Sequence, residues 1–245
     1  MATRVIDDSK LQDIAVAIQG KDSGGTMTVD EMPTRIAAIP AQDNTTLNSL
    51  IDRSITSIEN DEVTSIGTNT FRNCTNLTSV SFPNVTSIGS STFQNCTNLT
   101  SVSFPNVTSI GSSTFRECTN LTGVSFPNVT SISIYIFQSC RALKNVSLPE
   151  LKIITNNAFQ SCGALTSVSF PKVTSIESSV FLYCSNLTSV ILGARASLAN
   201  SNSFSGADNA IIYVQPEDLS WYSTATNWAV LYTAGRVKSI EELPT

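Results

Sequence analysis

Six cysteines are the residues of this chain with the clearest capacity for chemistry, and they recur at a fixed interval. Successive members lie 22 residues apart: Cys74, Cys96, Cys118, Cys140, Cys162 and Cys184. Such spacing could indicate disulfides or a metal site, but the chain contains no histidine, which excludes a Cys-His zinc site. We instead expect the thiols to be buried structural groups, stacked about 4.8 Å apart in successive turns of a repeat.

The elements that position these cysteines repeat with the same interval. Phenylalanine recurs from Phe71 to Phe181 and leucine from Leu77 to Leu187, each in steps of 22 residues. In the second unit the apolar positions are Val85, Ile88, Phe93, Cys96, Leu99, Val102 and Phe104. The final pair has the strand period and is followed by a proline, which indicates a strand that ends there. The three-residue step from Phe93 to Cys96 predicts a short helical turn.

A single unit cannot fold alone, so the units must stack as a solenoid and close each end with a cap. The unit resembles the BspA-like leucine-rich repeat in its Val-Thr-Ser-Ile-Gly corner, Phe-x-x-Cys turn and Leu-Thr-Ser-Val strand, over about residues 50–192. The resemblance implies an α/β fold, a leucine-rich-repeat solenoid of 22-residue coils, each with a strand and a short helical turn.

The chain divides into four segments. We predict a helical docking module over 1–45, a linker and half-repeat cap over 46–62, six repeats over 63–192 and a C-terminal cap over 193–245. The half-repeat places Ile55, Ile58 and Val63 on core positions, with Asn60 where phenylalanine belongs. In the C-terminal cap we expect a last strand at 211–214 and a helix opening at Pro216. Its apolar side chains are expected to cover the open end: Leu219, Trp221, Tyr222 and Trp228.

The N-terminal module carries two short amphipathic stripes. The first consists of Leu11, Ile14 and Ile18, and the second of Met32, Ile36 and Ile39. The pattern from Leu11 to Ile39 is similar to the N-terminal segment of many tail and fibre-like proteins of phages that infect Gram-positive bacteria. This resemblance implies that residues 1–45 dock onto other virion proteins, and a docking segment repeated around a virion makes a homo-oligomer the expectation.

The charge and hydropathy of the chain exclude two classes of partner. The net charge is -5, and residues 61–192 hold six basic residues scattered among five acidic ones, so no basic stripe is available for nucleic acid. No apolar run is long enough to cross a membrane. The first residues are interrupted by Asp7, Asp8 and Lys10, so we also expect no signal peptide, and hence synthesis in the cytosol.

The outward positions of the repeated strand are the candidate ligand face. They form two columns of small polar side chains with one lysine beside them: Ser79, Ser81, Ser101, Ser103, Ser125, Lys144, Asn145, Ser147, Ser167 and Ser169. A hydroxyl ladder of this kind could bind carbohydrate. The alternative is that solvent-facing strand positions need only small polar residues, and the columns contain no aromatic residue for stacking.

Asn-x-Ser/Thr motifs recur at Asn76, Asn84, Asn98 and Asn106. They would indicate glycosylation in a secreted eukaryotic protein. We interpret them instead as turn residues whose side chains satisfy the backbone at the corners of the coils.

No catalytic constellation is present: the chain has no histidine and no glycine-rich phosphate loop, and the solenoid has no clustered carboxylates. We therefore predict a non-enzymatic protein without metal or cofactor. The leading hypothesis is a phage virion protein, a tail-fibre, receptor-binding or decoration protein whose solenoid binds a host-surface glycan or protein. The alternatives are a bacterial BspA-like surface adhesin and a structural spacer without a receptor. Repeats four to six vary most, so binding is expected there: Tyr135, Arg141, Lys144, Lys152, Lys172 and Tyr183.

Overall fold

A computed structural model describes residues 55–61 and 63–244. The predicted docking stripes and most of the linker lie outside these residues. We number the coils from their first valine or leucine: coil 1 is 63–84, coil 2 is 85–106, coil 3 is 107–128, coil 4 is 129–150, coil 5 is 151–172 and coil 6 is 173–194. No helix among the described residues is long and apolar enough to cross a membrane.

Each coil contributes one short strand to a parallel front ladder. Its strands are β1 (Ser57–Glu59), β3 (Ser79–Ser81), β5 (Ser101–Ser103), β7 (Gly123–Ser125), β8 (Asn145–Ser147), β10 (Ser167–Phe170), β12 (Ser189–Leu192), β14 (Ile211–Val214) and β15 (Val237–Ser239). These strands pair in three groups, β1-β3-β5, β7-β8 and β10-β12-β14-β15. Equivalent residues of successive repeats face each other, as Val80 faces Val102. In β3, β5, β7 and β8 the central valine points inward and its two neighbours point outward, because side chains alternate along a strand.

A second parallel ladder forms the side of the solenoid. It contains β2 (Ser65–Ile66), β4 (Ser87–Ile88), β6 (Ser109–Ile110), β9 (Ile153–Ile154), β11 (Ser175–Ile176) and β13 (Ser197–Leu198). In coil 4 the ladder is reduced to a single bridge between Ser131 and Ile153. The fold is thus the predicted α/β leucine-rich-repeat solenoid of stacked parallel strands with few helices.

The segment between the side strand and the next front strand differs in detail from the predicted helical turn. The amide of Cys96 does donate to the carbonyl of Phe93 at 3.2 Å, an i→i+3 bond. However, Ser91 and Asn95 have φ of 55° and 59°, and left-handed residues end a right-handed helix. The segment therefore forms consecutive turns whose amides also bond the next coil, as when Phe93 donates to Thr114 at 2.9 Å. We call the surface formed by these segments the turn face.

The core consists of the predicted apolar columns, and phenylalanine forms the longest of them. Rings stack from coil to coil with centroids 5.3 to 5.7 Å apart along Phe71, Phe93, Phe115, Phe137, Phe159, Phe181 and Phe204. A second column runs through Phe82, Phe104 and Phe126. Because each ring contacts the copies above and below it, neighbouring coils stabilise one another.

Threonine and asparagine side chains hold the coils together at their polar edges. The hydroxyl of Thr100 donates to the carbonyl of Thr78 at 2.9 Å, and Thr122 repeats this bond to Thr100 at 3.2 Å. At the corner after the front strand, the amide of Asn106 donates to the Pro83 carbonyl at 2.8 Å. These bonds explain why the repeats are rich in hydroxyl and amide residues, and they give the asparagine of the Asn-x-Ser/Thr motif a structural partner.

The C-terminal segment closes the open end of the solenoid. A 3-10 helix, Pro216–Asp218, leads into α1 (Leu219–Thr224), which is followed by α2 (Trp228–Thr233). Tyr222 and Trp228 are fully buried, and the indole of Trp228 donates to the carbonyl of Ala196 at 2.6 Å. The prediction that β14 is the last strand is wrong, because β15 pairs with its outer edge and places Val237 beside Ile212.

The first described coil ends in a buried amide. Asn60, on the phenylalanine position, is 3% exposed, and its side-chain oxygen accepts a hydrogen bond from the Val63 amide at 2.8 Å. Ile55 and Ile58 are buried on the core positions expected for a half-repeat. A polar group thus stands at the end of the phenylalanine column that begins with Phe82.

Candidate binding faces

The front ladder carries a groove of about 580 Å³ across coils 2 to 6. Its lining consists of outward residues of the front strands and of the valines between them: Val102, Gly123, Val124, Ser125, Lys144, Asn145, Val146, Ser147, Ser167, Val168, Ser169 and Ile191. We call this surface the front groove. Its floor is apolar and its sides present hydroxyl and amide groups, which is the usual composition of a ligand site.

Two residues give the front groove its local shape. Gly123 stands where coil 2 has Ser101, and a side chain there would lie 3.4 Å from the Cβ of Asn145. Without that side chain, Asn145 borders an open notch. Val102 and Val146 are partly exposed, whereas Val124 and Val168 are 5% and 4% exposed. The groove floor therefore offers apolar contact as well as polar sides.

The electrostatics of the front groove are simple. Lys144 is the one charged residue in its lining, and no carboxylate lines it among the residues that the structure describes. With a single positive charge and neutral polar sides, the groove suits a neutral or weakly anionic ligand.

The structure brings together most, but not all, of the sequence-predicted ligand face. Ser125, Lys144, Asn145, Ser147, Ser167 and Ser169 line the groove. Four others, Ser79, Ser81, Ser101 and Ser103, belong to the same two columns but lie outside the lining. Sequence reasoning missed the valine floor, because inward strand positions were assigned wholly to the core. Ile191 stands on the same outward column as Ser169 and was not among the predicted ligand residues. The glycine at position 123, which breaks a serine column, was the available signal.

The cysteines are buried in the core, as predicted. Each thiol from coil 2 onward donates to a carbonyl of the preceding coil, as Cys96 does to Phe71 at 3.0 Å and Cys118 to Phe93 at 3.1 Å. Burial raises the pKa of the Cys118 and Cys184 thiols to about 12. All six cysteines lie in the described part, where they form no disulfide. Within that part, no group of three or more acidic, cysteine or histidine side chains is placed to hold a metal ion.

The stacked coils, the paired ladders and the capped ends define the class of repeat scaffolds that present one extended face to a ligand. Six copies of the BspA type leucine rich repeat region match residues 48–162 and 108–220. The matched residues make up most of the chain, and the chain therefore belongs to the BspA-type leucine-rich-repeat family.

Solved structures of three bacterial proteins are similar to this chain. A leucine rich cell surface protein from Faecalibacterium prausnitzii is 34% identical, with a TM-score of 0.54 over 60% of this chain and 41% of that one. A leucine-rich repeat protein from Bacteroides ovatus is 25% identical, with a TM-score of 0.58 over 70% of this chain and 52% of that one. One from Eubacterium ventriosum shares the fold at 23% identity, with a TM-score of 0.56 over 62% and 43%.

This chain thus spans about half the length of the solved proteins that it resembles. Among curated proteins, none matches it.

Proposed function

We propose that this chain is a non-enzymatic adhesion protein that binds a cell-surface glycan or protein through the front groove. The observation that carries the proposal is the groove itself, about 580 Å³ lined by valine, hydroxyl and amide groups and one lysine. The groove lies on short parallel strands that stand on a buried core, and β7 and β8 at its centre are hydrogen-bonded to each other. A rigid, prearranged face of this kind binds with little loss of conformational entropy.

The proposal includes a site of display, for which two readings have different support. The similarity of residues 1–45 to phage tail and fibre-like proteins supports a virion protein that docks through Leu11, Ile14, Ile18, Met32, Ile36 and Ile39. The 34% identity to a protein named as a cell surface protein supports display on a bacterial surface. A spacer without any receptor is the third reading, and binding data separate it from the other two.

The binding test compares two substitutions on one column of the front ladder. Ser147→Tyr places a bulky side chain in the groove, whereas Ser103→Tyr places the same side chain on the same column outside the lining. Both positions are exposed, and tyrosine is well accepted in strands. The labelled full chain is titrated onto Gram-positive bacterial cells and, separately, onto cultured animal cells.

The adhesion proposal expects saturable binding to at least one of these surfaces, weakened about tenfold or more by Ser147→Tyr because a blocked pocket loses its central contacts. Ser103→Tyr should leave the affinity unchanged. Binding to bacterial cells favours the virion reading, and binding to animal cells favours the bacterial adhesin. Lack of saturable binding to either surface would leave the spacer as the account of the protein.

The docking test is separate from the binding test. The full chain and a chain lacking residues 1–45 are each used to capture purified phage structural proteins. The virion reading expects capture by the full chain alone. Capture by neither chain, or by both equally, contradicts docking through residues 1–45.

A further inference from the structure

Two tyrosines on the turn face combine exposure with an unfavourable backbone. Tyr135 in coil 4 has φ of 59° and is 36% exposed, and Tyr183 in coil 6 has φ of 61° and is 61% exposed. The other non-glycine residues with positive φ in the described part are asparagine, serine and one glutamate. Small polar residues accept this conformation readily, whereas for a bulky side chain it is an outlier. Neither burial in the core nor backbone preference therefore explains why tyrosine occupies these two positions.

The local packing orients one of these rings. The ring edge of Tyr183 lies against the next coil at Gly206, where a Cβ atom would stand 2.7 Å from Cδ1 of the tyrosine. The amide of Tyr183 also donates to the Ser205 carbonyl at 2.8 Å. One edge of the ring thus lies against the Gly206 backbone while more than half of the residue stays in solvent. An exposed ring packed along one edge presents a surface for stacking.

A short ladder of amides occupies coils 4 and 5 beside the two tyrosines. Gln160 in coil 5 accepts two hydrogen bonds at Oε1, from Gln138 Nε2 at 2.6 Å and from Asn157 Nδ2 at 2.9 Å. Its own NH2 group has no protein acceptor among the described residues. The backbone of the three coils is in register here, since Ser139 and Ser161 donate to the carbonyls of Gln160 and Leu182 at 2.8 Å. Tyr135 and Tyr183 therefore stand two coil steps, or about 10 Å along the axis, apart. They lie on different columns, since Tyr135 occupies the position of Asn157 and Tyr183 that of Ser161.

We propose that this patch, Tyr135, Gln138, Asn157, Gln160 and Tyr183, is a second binding site that takes a neutral oligosaccharide of β-linked pyranose rings. Aromatic rings present flat apolar surfaces to the faces of such sugars, and the amides between them supply donors and acceptors for hydroxyl groups. All five side chains are uncharged in their ordinary states. In the preceding coil, Arg116 and Glu117 pair with each other at 3.1 Å. The carboxylate of Glu177 in coil 6 accepts a hydrogen bond from the amide of Asn156, next to Asn157, at 2.9 Å. The patch is thus matched to a hydroxyl-rich, uncharged ligand.

A protein partner fits the patch less well. The centre of a protein interface is normally a desolvated apolar cluster, whereas the centre of this patch is a row of amides that need polar partners. The site also differs from the front groove in composition, since no aromatic residue lines that groove. It does not depend on the function proposed for the groove.

The test returns the two tyrosines to the residue found at the same positions in other coils. The position of Tyr135 is Asn69 in coil 1 and Asn157 in coil 5, and that of Tyr183 is Asn73 in coil 1 and Asn95 in coil 2. The double variant Tyr135→Asn/Tyr183→Asn should keep or raise the melting temperature, by about 2 °C, because asparagine accepts positive φ. Its affinity for the sugar should fall about tenfold or more, as expected for removal of aromatic anchors.

The probes are the β-1,4-linked hexamers of glucose and of N-acetylglucosamine, titrated calorimetrically into the full chain. Three controls accompany the double variant. Tyr135→Phe/Tyr183→Phe keeps the rings and should keep most of the affinity. Tyr232→Ala removes a tyrosine that is 37% exposed on α2, and Ser147→Tyr blocks the front groove; neither should change hexamer binding.

The expected result is saturable binding of at least one hexamer that depends on the tyrosines and not on the groove. Absence of binding of both hexamers to the wild-type chain overturns the proposal. Equal binding by the double asparagine variant also overturns it. If Ser147→Tyr loses hexamer binding and the double asparagine variant keeps it, the sugar binds in the front groove instead and the proposal is overturned. If Ser147→Tyr weakens cell binding without changing hexamer binding, the front groove and the tyrosine patch are separate sites, as proposed.

Discussion

Coils 1 to 3 and coils 4 to 6 bury the same columns of side chains, yet their surfaces differ. Coils 1 and 2 differ at three of 22 positions, and so do coils 2 and 3. Coils 4 to 6 instead present Tyr135, Lys144, Ile153 and Tyr183, all of which are exposed. Both the front groove and the tyrosine patch are built mainly from these coils. The stacked core thus permits surface variation without a change of fold, since core and surface positions are separate.

The largest effect is expected from removing a core phenylalanine, which tests whether the cores of the two halves are equally stable. Phe115 in coil 3 stacks at 5.6 and 5.7 Å on its neighbours, and Phe137 in coil 4 at 5.7 and 5.4 Å. Phe115→Ala and Phe137→Ala should each lower the free energy of unfolding by about 3–5 kcal/mol, as for other buried phenylalanines. Denaturant unfolding measures both values. A difference of more than about 1.5 kcal/mol, the scale of a conservative core change, would mean that the two cores are not equivalent.

The buried cysteines of the two halves can be compared by how the free energy of unfolding changes at alkaline pH. Burial raises the pKa of Cys118 in coil 3 and Cys184 in coil 6 to about 12, whereas an unfolded thiol has a pKa of about 8.5. Each thiol therefore stabilises the fold fully below about pH 8.5, and this contribution is lost as the pH rises toward 12. Between about pH 9.5 and 10.5 each thiol lowers the free energy of unfolding of the native chain by about 1.4 kcal/mol per pH unit. Cys118→Ala and Cys184→Ala should each remove one such contribution from the slope.

The measurement is denaturant unfolding at stepped pH with the native chain and each alanine variant. The alanine variants also lose the thiol hydrogen bonds to the carbonyls of Phe93 and Phe159. The loss of these hydrogen bonds lowers the free energy of unfolding at every pH and does not itself alter its slope against pH. An unchanged alkaline slope in either variant would contradict the buried, protonated thiol in that half of the solenoid.

The smallest effect is expected at the corner after the front strand, where coils 1 to 3 have an asparagine and coils 4 and 5 have charged residues. The asparagine that bonds the preceding coil in coils 1 to 3 becomes Glu150 in coil 4 and Lys172 in coil 5, which pair at 2.6 Å. Both side chains are about half exposed, and exposed ion pairs contribute little. The double variant Glu150→Asn/Lys172→Asn should change the unfolding free energy by less than about 0.5 kcal/mol.

Its salt dependence is the informative readout. The native pair should weaken slightly as sodium chloride screens it, while the asparagine variant should not respond. A loss of more than about 2 kcal/mol in the double variant would mean that the ion pair has a structural role beyond that of the asparagine it replaces.

Much of the fold followed from the sequence because its signals are repeated six times. The 22-residue interval gave the core columns, and the i, i+2 pair ending at proline gave the front strands. The turn segment was less accessible, because a three-residue apolar step does not distinguish a helical turn from two left-handed residues such as Ser91 and Asn95. Strand β15 was missed since Val237 and Ser239 are too few to show a period.

The candidate sites were only partly predictable for a related reason. Outward strand positions follow from periodicity, so Ser125, Ser147 and Ser169 were found. A groove depends on differences among neighbouring strands, such as the notch beside Gly123 and the partial exposure of Val102 and Val146. Periodicity carries no information on these differences.

If ligand binding depends on the surface of coils 4 to 6, a chimera without that surface should not bind cells. Residues 129–194 are replaced by three copies of coil 2, which keeps the number of coils and the core columns and removes Lys144, Asn145, Tyr135 and Tyr183. Saturable binding to cells is then measured for the native chain and the chimera, with thermal unfolding as the check on folding. We expect the chimera to unfold cooperatively and to lose cell binding; a folded chimera that binds as tightly as the native chain would contradict the account.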